Sequence, residues 1–124
     1  MRKEHPAAQA FDLDRWLAYP HVLVSGRSET FGALDEALSV LGRKRHVGMV
    51  VPSFLIVPPL LLDSNLIALL PSRTLPRDSG EHYAVREPPI PVPGFPLHVA
   101  WHRRSDRDPA VQHVAGLIEA LLSA

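Results

Sequence analysis

The stretch VVPSFLIVPPLLLDSNLIALLP, Val50 to Pro71, decides how this chain folds. It is almost wholly apolar, yet prolines stand at 52, 58, 59 and 71, and a polar break, Asp63-Ser64-Asn65, interrupts it. A helix crossing a bilayer needs about 20 apolar residues with every backbone group satisfied. The longest clean run here, Phe54 to Leu62, is shorter than that and contains two prolines. The stretch therefore reads as core in three pieces: a strand end at Val50-Val51, a helix behind Ser53, and a strand over Leu66 to Leu70. Ser53 is placed to cap that helix over Phe54 to Leu62. Pro58 and Pro59 remove amide donors, which predicts a kinked helix or one that starts at Pro58.

Working upstream, RKRHVGMVV predicts a strand over His46 to Val51, its basic lead-in a solvated turn. SETFGALDEALSVLG predicts a helix capped by Ser28 or Thr30. Phe31, Leu34, Ala37, Leu38 and Leu41 share its apolar face, and Gly42 stands just past its end. HVLV, His21 to Val24, predicts a buried strand. DLDRWLAYP predicts a short helix capped by Asp12 and stopped by Pro20. Downstream, Pro71-Ser72-Arg73 opens a turn or short helix. The alternation in HYAVREP (His82 to Pro88) predicts an edge strand, and the prolines of PPIPVPG predict an extended segment outside any ladder. FPLHVAWHRR predicts a last strand with Leu97, Val99 and Trp101 on one face. Asp108 and Pro109 open a terminal helix whose Val111, Val114, Leu117, Ile118, Leu121 and Leu122 form one stripe.

Strand, helix, strand, helix, strand is the signature of an open, mostly parallel α/β sheet. Ligands of such sheets gather outside the carboxyl ends of the strands, here VSGRSET and VVPSF. At 124 residues and 46% apolar content, the chain is one ordinary domain or part of a larger one. Thirteen basic and thirteen acidic residues cancel, so the overall field favours neither nucleic acid nor a membrane surface. With no cysteine, disulfide and thiolate chemistry are excluded, as suits a reducing cytoplasm. The positive start MRKEHP has no apolar run behind it to make a signal peptide.

His98 and His102, with Asp106 or Asp108 nearby, hold some of the groups a metal site needs, but three or four must converge. Exposed strand histidines are the simpler reading. Ser25 and Ser53 lack a nucleophile elbow, and no spacing pairs either with a base. Capping or turn formation is the first reading for both, and hydrogen bonding to a ligand at a strand end the second. SGRSE has one glycine, which does not cradle phosphates. Arg27 is suited to an anionic ligand or simply to solvent.

Three segments together resemble the effector-binding domain of LysR-type transcriptional regulators: HPAAQAFDLDRWLAYPHVLVSGRS, VPSFLIVPPLLLDSNLIALLPSR and PLHVAWHRRSDRDPAVQHVAGLIEAL. DSNLIALLP stands in place of the family's more glycine-rich turn. The resemblance implies a periplasmic-binding-protein-like (type 2) α/β fold with a mostly parallel open sheet. Residues 1–20 would end a first lobe and cross over, 21–96 would form the second lobe, and 97–124 would return to an incomplete first lobe. It implies a cytoplasmic sensor, without metal, cofactor or catalysis. Ser25, Gly26, Arg27, Pro52, Ser53 and Phe54 would contact a small effector, an aromatic or carboxylic acid. It further implies a dimer, with DNA bound only through a helix-turn-helix outside this sequence. The competing expectations are a small hydrolase-like enzyme using Ser53 or the His98/His102 pair, and an inactive regulator fragment.

Overall fold

The computed structural model describes residues 1–27, 29–75 and 78–123. Three parallel strands, β1 (His21–Val24), β2 (Val47–Val51) and β3 (Ile67–Ala68), form a sheet in the order β2-β1-β3. The first crossover, from β1 to β2, runs through α2 (Ala33–Val40). The second runs through a 3-10 turn, Phe54–Ile56, that passes directly into α3 (Val57–Leu62). Because parallel crossovers are right-handed, stepping to one side of β1 and then to the other puts the two helices on opposite faces. The core divides accordingly. Leu34 and Leu38 of α2 pack with Ala7, Ala8, Trp16 and Ile67, while Val57 and Leu61 of α3 pack with Val22, Val51 and Tyr83.

Local chemistry explains most boundaries. Asp12 caps α1 (Leu13–Leu17) by accepting from the Arg15 amide at 2.8 Å. The start of α2 lies further along than the Thr30 cap expected for it: Gly32 is the cap residue, and Asp35 reaches back to accept its amide at 2.8 Å. Phe31 consequently precedes the helix and is 64% exposed rather than part of its apolar face. The alternative cap, Ser28, lies outside the described residues. At the other end Gly42 takes φ +64°, with its amide on the Ser39 carbonyl and the Arg43 amide on that of Leu38. That is the glycine-terminated helix end read from the sequence.

The proline pair does not break the helix, because Pro58 falls in the first turn of α3, where the amide it lacks has no intrahelical partner. β2 begins at Val47, one residue later than expected, and its register with β1 slips between His21 and Val22. Gly48 occupies that slip. A Cβ there would stand 2.7 Å from Pro20 Cβ, so only glycine fits. β3 has ladder geometry at two residues, against the five expected.

Two expected strands do not form. His82 ends a one-turn helix, α4 (Ser79–His82), and Tyr83 makes only an isolated antiparallel bridge to Arg2. Residues 97–102 have no regular structure. An alternating pattern permits a strand, but a strand exists only where a neighbour supplies the ladder. The chain divides into two compact units, Met1–Gly94 and Phe95–Ala124. In the second, Trp101 Nε1 donates to Asp106 and Asp108 caps α5 (Pro109–Ser123) by accepting the Ala110 amide, each at 2.9 Å.

Candidate functional site

The carboxyl ends of β1 and β2 lie side by side. Beyond the last ladder pair, Val24 with Val51, the Ser25 amide donates to the Val51 carbonyl at 2.9 Å. The loops holding Ser25-Gly26-Arg27 and Pro52-Ser53-Phe54 therefore leave the sheet together. Ser25, Ser53 and Phe54 are half-buried, and Gly26, Arg27 and Pro52 are exposed. Ser25 Oγ accepts from the amides of Arg27 at 3.3 Å and Glu29 at 3.1 Å, and Ser53 Oγ accepts from Leu55 at 3.3 Å. Both hydroxyls hold their own turns. A hydroxyl that accepts through its oxygen still carries a proton to donate.

Sequence reasoning missed a buried charged group. Arg45, assigned to a solvated turn, is buried: its Nε and Nη2 grip the two Asp35 oxygens at 2.9 and 2.7 Å. Burial alone would raise the Asp35 carboxyl, but the Arg45 fork and the Gly32 amide outweigh it and hold it below the usual range. Asp35 thus joins the start of α2, where the Ser25 loop ends, to the residue entering β2. The Asp three places after Gly32 was the available signal. Nothing in RKRH distinguishes Arg45 from its neighbours.

The histidines also fall differently from expectation. His98 and His102 are exposed but not on a strand, and His102 Nδ1 accepts the Arg104 amide at 3.1 Å. Asp106 and Asp108 serve Trp101 and the α5 cap. Among the described residues, no group of three or more His, Cys, Asp or Glu side chains could hold a metal ion. Among those same residues, no helix is long and apolar enough to cross a membrane.

A parallel α/β lobe whose adjacent strand ends open into short, hydroxyl-bearing loops is the architecture of a small-ligand module. The family model described as LysR substrate binding domain matches residues 1–123, and this chain belongs to that family. Its fold is accordingly the periplasmic-binding-protein-like type 2 fold. It is 29% identical over 138 residues to the HTH-type transcriptional regulator YidZ of Salmonella newport, and 31% identical over 124 residues to the HTH-type transcriptional activator NagR of a Ralstonia species. Each alignment takes in 98% of this chain and 41% of the relative, so the chain spans about two fifths of their length. The regulatory domain of MexT, a transcriptional activator in Pseudomonas aeruginosa, superposes with a TM-score of 0.73 at 34% identity, over 90% of this chain and 56% of that one.

Proposed function

We propose that this domain binds a small-molecule effector at the joined ends of β1 and β2. Ser25, Gly26 and Arg27 meet it from one loop, and Pro52, Ser53 and Phe54 from the other. The observation that carries this reading is the Ser25 amide bond to Val51, which makes two half-open loops neighbours. Phe54 offers apolar contact, the serine hydroxyls offer donors, and Arg27 favours a carboxylate. A small aromatic or carboxylic acid fits that set. In the parent protein, effector binding shifts a cytoplasmic transcriptional regulator between states, and DNA is met through a helix-turn-helix outside this sequence.

The domain acts as a sensor and returns its ligand unchanged. The homodimer is part of the same proposal. β2 is an edge strand, and Met49 on it, with Val40 and Leu41 at the end of α2, is 39%, 84% and 53% exposed, respectively. A thermal-shift screen of small aromatic and carboxylic acids tests the site. A ligand at 100 times its Kd adds about 2.7 kcal/mol to the wild-type chain, and Arg27→Ala and Ser53→Ala should each weaken that gain. A hit whose stabilisation survives both changes, or a hit that is consumed, contradicts the reading. Light scattering that finds a monomer at all concentrations contradicts the dimer.

A further inference from the structure

Of seven histidines, those at 46, 82, 98, 102 and 113 are exposed, whereas His5 and His21 are 1% and 0% exposed. The sensor reading uses neither buried ring. His21 Nε2 lies 2.8 Å from the Trp16 carbonyl. In a continuing helix that carbonyl would take its hydrogen bond from residue 20, but Pro20 has no amide hydrogen. The His21 ring supplies the missing donor, so its proton sits on Nε2. Its Nδ1 is buried without a hydrogen-bond partner among the described residues, and the ring meets Trp16 edge-on at 5.4 Å. His5 repeats the arrangement. Its Nε2 donates to the Asn65 carbonyl at 3.1 Å, its Nδ1 accepts the Ala7 amide at 3.0 Å, and its ring meets Tyr19 edge-on at 4.5 Å.

Both rings are thus held as the neutral tautomer protonated on Nε2, and a second proton must enter at Nδ1. In His21 it would arrive in a buried position with no acceptor. In His5 it would oppose the Ala7 amide already pointing there. Burial sets the sign of the response for both rings, and neighbouring charges adjust it. His21 faces Arg45, which opposes a second positive charge, and Asp35, which favours it. His5 faces Arg2 and the Met1 amine, both opposing. Burial is the largest effect for both and carries His21 down to about 4. It also lowers the Met1 amine to about 6.

We propose that His5 and His21 are acid-sensitive latches: each neutral ring ties the segment of residues 1–20 to the sheet, at the entry to β3 and to β1, and a second proton releases that segment. The reporter is built in. With Trp101→Phe, Trp16 becomes the chain's one tryptophan, in contact with the His21 ring. Its emission should fall and shift to the red as the pH drops from 6.5 towards 4. His21→Gln keeps an N–H donor that does not titrate, and should move the midpoint down by a pH unit or more. His5→Gln should move it by less. A midpoint unchanged in both variants assigns the transition to carboxylates and overturns the proposal. Nitrogen-15 NMR of the wild-type imidazoles decides the matter even if a variant fails to fold. The Nε2–H tautomer with a His21 midpoint near 4 supports the latch. A His21 midpoint at 6 or above, or the Nδ1–H tautomer, overturns it.

Discussion

At the amino ends of the strands, polar side chains are buried and engaged by a backbone carbonyl or an opposite charge. At the carboxyl ends they are half-buried or exposed and hold only their own turns. The first arrangement is costly to disturb, because a buried polar group that loses its partner regains nothing from water. The second is cheap to disturb and leaves donors for a ligand. One end of the sheet therefore carries stability and the other is open to adapt. Arg45 connects them through Asp35, which also accepts the amide of Gly32, the residue where the Ser25 loop gives way to α2.

Removing one partner of the buried ion pair should break this contrast most severely. Asp35→Ala leaves the Arg45 guanidinium, 2% exposed, without its counter-charge, and should cost about 3–5 kcal/mol in urea unfolding. Acid comes next. The folded-state pKa of His21 is depressed from 6.5 to about 4, so its contribution is fully present above 6.5 and is lost as the pH falls through 4. Unfolding free energy should drop by up to about 1.4 kcal/mol per pH unit across that window, and less in His21→Gln. Gly48→Ala drives a methyl to 2.7 Å from Pro20 and should cost about 1–3 kcal/mol by chemical denaturation. The smallest effect belongs to the other end. Ser25→Ala should cost about 1 kcal/mol or less in the ligand-free chain, while reducing stabilisation by any effector found. A large ligand-free loss in Ser25→Ala would erase the contrast between the two ends.

Features set by neighbours in sequence were legible before the fold was known. Asp12, Gly42 and Asp108-Pro109 mark helix ends through bonds within a few residues and act as expected, while Ser53 caps the 3-10 turn that leads into α3 and not α3 itself. The strand-end loops were legible because β1 and β2 are short apolar runs closed by polar residues. What escaped depends on distant partners. Arg43 and Arg45 look alike in sequence, yet the first meets Asp14 at the surface and the second meets Asp35 in the interior. The alternating residues 82–88 and 97–103 could build strands, yet among the described residues neither run forms a ladder. His21 went unremarked because its role arises from Pro20 and Trp16 together. For the proposed site, the sequence pointed to the two strand-end loops, and the Ser25 bond to Val51 adds that they leave the sheet as neighbours.

The sheet order also sets an order of assembly. Both pairings of β1 are parallel, so each requires a long connection to close before any ladder bond forms. Pairing with β2 spans about half the sequence separation of pairing with β3, and it secures four register positions rather than two. Doubling a loop costs only about 0.6 kcal/mol, so the longer ladder, more than the shorter loop, favours β2 first. During refolding, protection of the His21 and Ser25 amides, which donate to the His46 and Val51 carbonyls beside β2, should accordingly appear before protection at Ile67, whose amide waits for the Pro20 carbonyl.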